Sequence, residues 1–278
     1  MNISIISVIL TLIQLTNNKI ITKKTYRLIL NQTLWEPVPI EINHFLGRTV
    51  KDVAQTKLGL INLAEIKTNK YSYSIDDKLL KIKKFDLRDN NSCIDYIDSQ
   101  LNCNASPAFA VANVLSDRLC IKSDLSKETN RMSSQSILYY FILDLISCDM
   151  LSYGCRGMSS ISAFYTLIKK GVPHSSCQSL RIRRNNYQNN FNCLEMCDNE
   201  KNSPKYIKLY SENITKLESL LEIKHSLLNF GPLYAEMEIL DDFFHYNRGV
   251  YKNVTSNVVG YHSIRVSYYL FVDCRLGF

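Results

Sequence analysis

The run SQLNCNASPAFAVANVLSDRLC, Ser99 to Cys120, carries a polar turn into an apolar helical pattern and places a hydroxyl, Ser106, at the junction. As a nucleophile Ser106 would need a general base to take its proton, because a free serine hydroxyl attacks poorly. As a helix cap it needs only its neighbour. Serine is favoured at the N-cap and proline at the first helical position, and Ser106 with Pro107 supplies both. The sequence therefore favours the cap, with the nucleophile as the alternative.

Other chemistries are narrowed by composition. The nine cysteines are scattered and lack the paired C-x-x-C spacing of a closed zinc site, which favours disulfides in an oxidising compartment and predicts no metal and no cofactor. The formal charge is +7, but the basic residues are dispersed apart from KIKK at Lys81 to Lys84 and RIRR at Arg181 to Arg184. Short runs of this kind are solvated surface, and no nucleic-acid-binding motif accompanies them, so no nucleic-acid partner is expected. The apolar stretch Ile3 to Leu15 is too short for a confident membrane span and reads as the core of a signal peptide over residues 1–17, with a buried N-terminal strand as the alternative. No later run is long enough to cross a bilayer, so no membrane span is expected after signal removal. Sequons at Asn31, Asn90, Asn213 and Asn253 suit the secretory pathway, while Asn104, beside the predicted helix start, is not expected to carry a glycan. The expected compartment is extracellular or a lysosome-like vesicle.

The elements that must position Ser106 follow from periodicity. Thr22 to Leu30 reads as a short helix, and Trp35 to Gly59 mixes extended and helical signals, with Pro37 and Pro39 keeping its start irregular. Apolar residues from Phe109 to Leu119 recur at helical intervals and predict an amphipathic helix of about three turns. Further helices are predicted over Ser133 to Ile146, Met158 to Gly171 and Ser211 to Pro232, and strands over LYAEMEI, GVYKN and HSIRVSYYLFVD. Helices first and strands last predict an α+β protein of two parts with a cleft between them.

CNASP at Cys103 to Pro107, preceded by Gln100, is similar to the sequence around the nucleophile of the papain family of cysteine peptidases. SDRLCIKS (Ser116 to Ser123), GCRG (Gly154 to Gly157), GPLYAEM (Gly231 to Met237), DFFHYNRGVY (Asp242 to Tyr251) and GYHSIRV (Gly260 to Val266) resemble its cathepsin B-like branch in the same order. The resemblance implies a papain-like two-lobed fold, a helical lobe followed by an incomplete β-rich lobe. It divides the chain into a propeptide-like region, 18–84, and a peptidase domain, 85–278, that looks truncated at its C-terminus. It also implies disulfides Cys93 with Cys120, Cys103 with Cys155, Cys148 with Cys193 and Cys177 with Cys197, leaving Cys274 unpaired.

Carried over residue by residue, the resemblance puts Ser106 where the family has its nucleophilic cysteine, His262 at the catalytic histidine and Gln100 at the side-chain donor of the oxyanion hole. Gly157 and Met158 match the backbone wall that pairs with an extended peptide. Met158 replaces a glycine there, where it would either obstruct an extended peptide or pack at the start of the following helix, and Tyr261 replaces a glycine beside the histidine, where its ring would crowd the cleft. No family asparagine motif follows His262; Asp273 is the nearest later acid. The segment Cys177 to Cys193 lacks the paired histidines of the occluding loop, so carboxydipeptidase action is not implied. The family reaction is cysteine-type endopeptidase hydrolysis. The expectation here is a catalytically inactive relative that binds a peptide, a protease inhibitor or another protease. The alternatives are a peptide hydrolase with Ser106 as an atypical nucleophile, or a truncated product without independent function.

Overall fold

A computed structural model describes residues 17–58, 68–89, 92–94, 99–100, 103–123, 145–149, 154–173, 193, 208–209 and 211–270. In chain order these form α1 (Lys23–Leu30), β1 (Trp35–Pro37), α2 (Val50–Lys57), β2 (Lys84–Asp86), α3 (Ser106–Ser123), α4 (Ser160–Lys169), β3 (Val172–Pro173) and β4 (Lys208–Leu209). After these come α5 (Leu220–Phe230), β5 (Leu233–Leu240), β6 (Tyr246–Gly249), β7 (Val258–Val266) and β8 (Tyr268–Leu270). The architecture is α+β: helices lead, and the longest ladder, β5 with β7, comes late and is antiparallel, with Met237 opposite His262.

The N-terminal segment is built into this frame. Thr22 opens α1 by accepting from Thr25 N at 3.0 Å, and Thr49 opens α2 by accepting from Asp52 N at 3.1 Å. Between them β1 pairs antiparallel with β6, setting Trp35 opposite Gly249. That approach needs glycine: Gly249 has φ 106°, and a Cβ there would come within 2.6 Å of the Leu34 carbonyl oxygen. Trp35 is buried and donates its indole N–H to the Lys252 carbonyl at 2.9 Å. Ile20, Ile21, Val53 and Leu58 share one apolar cluster with Ile239, Phe243, Phe244 and Val259, so residues far apart in sequence form one core.

A second cluster surrounds α3, joining Ala108, Phe109, Val111 and Ala112 to Ala163 and Leu167 of α4. The expected three-turn amphipathic helix is instead 18 residues long, and every residue from Cys103 to Asn113 is buried. Its N-terminal half is enclosed on all sides and carries no solvent stripe for periodicity to reveal, while Lys122 near its end is exposed. Sequence reading also started α5 too early. Ser219 and Glu222 form a capping box that opens it at Leu220, while Lys216 N upstream donates to Asn69 O at 3.2 Å. Of the expected strand GVYKN only Gly249 is in a strand, because the ladder with β1 begins earlier, at Tyr246. Ser133 to Ile146 lies outside the described residues except for 145 and 146, which are helical.

Candidate active site

The turn before α3 is fixed by the Cys103–Cys155 disulfide and by Asn104 N donating to Cys155 O at 2.9 Å. Helical bonding begins with Phe109 N donating to Ala105 O at 3.3 Å, so Ala105, not Ser106, is the residue at which the helix opens. Ser106 stands one place inside, where its hydroxyl caps no helical amide. It accepts from Ser263 N of β7 at 3.2 Å and is buried. The expected local cap is therefore a tie across the fold.

β7 carries His262 next to that tie. Alternate residues of a strand share a face, so Gly260 and His262 lie together and Tyr261 lies opposite. The Tyr261 hydroxyl reaches Glu238 on β5 at 3.5 Å, so it does not crowd the imidazole as sequence suggested. What does occupy the site is the chain itself. Gln100 Nε2 donates to the Lys57 carbonyl at 2.6 Å, and His262 hydrogen-bonds the backbone of the same residue. Leu58 then lies over Gly260, where a Cβ would come within 2.9 Å of Leu58 Cδ1.

Burial holds the His262 imidazole down to about 4, against the pull of its bond to Lys57. It is neutral near pH 7 but a weak base. The hydrogen bond that the Ser106 hydroxyl makes among the described residues is with a backbone amide, not with this imidazole. A serine nucleophile needs a base within hydrogen-bond reach to take its proton, and among the described residues the Ser106 hydroxyl is engaged by the Ser263 amide instead.

Two supports were invisible in sequence. Arg265 reaches from β7 to Asp117 of α3 at 2.8 Å, and burial raises the Asp117 carboxyl to about 7 even though the guanidinium pulls it down. Tyr234 of β5 shares a 2.8 Å hydrogen bond with the Ser263 hydroxyl and donates to Glu236 at 2.9 Å. Met158 belongs to the α3 cluster and is fully buried, so its side chain packs into that core. Gly157 beside it has φ 137°, a conformation that suits glycine. Disulfides join Cys93 to Cys120, Cys103 to Cys155 and Cys148 to Cys193; Cys177, Cys197, Cys274 and Asp273 lie outside the described residues. Asn31, Asn213 and Asn253 are exposed and Asn104 is buried. Among the described residues no cluster of histidine, cysteine or carboxylate side chains could hold a metal, and no helix is long and apolar enough to cross a membrane.

A helix end carrying the nucleophile position, packed against a strand carrying a histidine, is the site of a papain-like two-lobed fold. Residues 82–272 match the papain family cysteine protease profile, and the chain belongs to that family. It is 25% identical over 192 residues to cathepsin B-like cysteine proteinase 3 of Caenorhabditis elegans, covering 62% of this chain and 49% of that protein. It is 30% identical over 171 residues to human tubulointerstitial nephritis antigen, covering 56% and 34%. The chain thus spans about half or less of these relatives. Procathepsin B S9 from Trypanosoma congolense shares the fold at a TM-score of 0.72 and 21% identity, over 90% of this chain and 83% of that one.

Proposed function

We propose that this chain is a cathepsin B-like papain-fold protein whose hydrolytic site is silent and is filled by its own N-terminal segment. The carrying observation is the reassignment of the site's groups. The Ser106 hydroxyl accepts from the Ser263 amide, while Gln100 and His262 both hold Lys57. Gln100 is the donor that in a working site would face a developing oxyanion; here it faces a resting carbonyl.

In this reading residues 18–84 are propeptide-like and 85–278 the papain-fold domain, behind a signal peptide at 1–17. The three disulfides and the exposed sequons support a secretory route, to the outside of the cell or to a lysosome-like vesicle. A peptide, a protease inhibitor or another protease is the kind of partner the cleft takes once Lys57 and Leu58 leave it. The test is hydrolysis of a peptide library by the purified chain, with the N-terminal segment in place and after its removal, beside Ser106→Ala. No turnover above that variant is expected. Turnover by the wild type that Ser106→Ala abolishes would show a working serine nucleophile instead.

A further inference from the structure

The outer face of α1 has a composition that the cleft does not explain. Its inner stripe is Thr25 and Ile29, both buried. At 100° per residue the opposite side is centred on Arg27, with Lys23 and Lys24 beside it, and all three are exposed. Leu28 and Leu30 flank these cations at 43% and 58% exposure, and Leu34 follows at 43%. Lys19, also exposed, extends the basic strip, and no aspartate or glutamate occurs between Asn17 and Trp35. Among the described residues none of these four cations enters an ion pair. A single exposed leucine is unremarkable on a protein surface; leucines bracketing unpaired cations on one short helix are a pattern.

We propose that this face of α1 docks on an anionic lipid surface. The cations supply attraction to acidic headgroups, and the leucines decide between lipid and a soluble polyanion, because a polymer would engage the charges and leave the leucines in water. The orientation is compatible with the fold: the same helix buries its other face against the 241–245 turn, which lies on the protein side. The surface belongs to the N-terminal segment, so it serves the protein for as long as that segment stays on it. This inference does not rest on the silent site, since a hydrolytic chain with the same α1 would dock equally.

The test is co-sedimentation of the purified chain with phosphatidylcholine vesicles and with vesicles containing about a third phosphatidylserine. Partition onto the anionic vesicles only, weakening as salt is raised, is expected. Lys23→Gln with Arg27→Gln should lower that partition about thirtyfold, taking about fivefold per cation near such a surface. Leu28→Ser with Leu30→Ser should lower it as well while leaving retention on a sulfated polysaccharide column unchanged. All four positions are exposed, so circular dichroism should show the variants folded. The proposal is overturned if neither vesicle type binds, if neutral vesicles bind equally, or if the leucine variant binds anionic vesicles as the wild type does.

Discussion

His245 offers the sharpest test of how the N-terminal segment is held. It is fully buried, and among the described residues neither ring nitrogen has a hydrogen-bond partner. Its ring lies 6.1 Å from that of Tyr26 in α1, and its carbonyl accepts from Val38 N at 2.7 Å. Burial lowers the imidazole from 6.5 to about 4, with Asp241 pulling weakly the other way. The unfolded chain therefore takes up a proton that the folded chain refuses. The associated stability is complete above about pH 6.5 and is lost as pH falls toward 4. Across the whole titration the loss is on the order of 3 kcal/mol, most of it gone by pH 4.5. His262, held down to about 4, adds a loss of the same sign, so the informative quantity is a difference between variants. His245→Leu removes one of the two groups. Urea unfolding of the disulfide-intact chain, followed by circular dichroism at pH 7.5 and 4.5, should show the variant losing roughly 2–3 kcal/mol less than the wild type over that interval. Any packing cost of leucine cancels in the comparison across pH. Equal losses in the two proteins would mean that His245 is hydrated or partnered, and the argument from its burial would fail.

Ser106→Cys should give at most trace turnover of a dibasic peptide in steady-state kinetics, because a thiol at the end of α3 still faces the Ser263 amide and a site filled by Lys57 and Leu58; an efficient rate would show that the nucleophile was the sole defect. Arg265→Ala strands the buried Asp117 and should cost about 3–5 kcal/mol in a denaturation titration, with much of the loss recovered when Asp117 is replaced by leucine as well. Gln100→Ala removes a donor to Lys57 and should cost about 1 kcal/mol locally, read as faster proteolytic nicking near residue 58 without a change in global unfolding. Peptide mapping without reductant should recover Cys93 with Cys120, Cys103 with Cys155 and Cys148 with Cys193. Replacing both Cys93 and Cys120 by serine should lower stability by about 2–4 kcal/mol.

What sequence revealed was mostly local. The helix containing Ser106, the strand containing His262, the α+β order and the family were all readable, because short motifs and periodic apolar residues are written contiguously. The use made of Ser106 was not, since its partner lies on β7 and nothing near residue 106 announces a strand amide. The opening of α5 could have been read from Ser219 and Glu222, three residues apart ahead of an apolar run, had that pair been weighed above the longer polar and apolar pattern. Tyr261 looked obstructive, and Met158 stayed open between obstruction and packing, because substitution for glycine shows that a side chain is present but not where it points. Lys57 and Leu58 carried no signal at all: they matter through a carbonyl and a methyl group that only tertiary folding brings to the site.

No cysteine precedes Cys93, so no disulfide fastens residues 17–58 to the rest of the molecule. Their attachment is the β1–β6 ladder, Trp35, a shared apolar cluster and the clamp on Lys57, together with the polypeptide running onward from Leu58. Continuity of that chain makes rebinding of the segment intramolecular, at an effective concentration set by the connection rather than by the amount of protein. One cut between Leu58 and Asn69, where the chain is next tied to the body by Asn69 N donating to Ile214 O at 2.8 Å, would leave those contacts in place yet turn the segment into a separate peptide with its own dissociation constant. Before the cut, occupancy of the site does not depend on how much protein is present; afterwards, dilution alone would empty it.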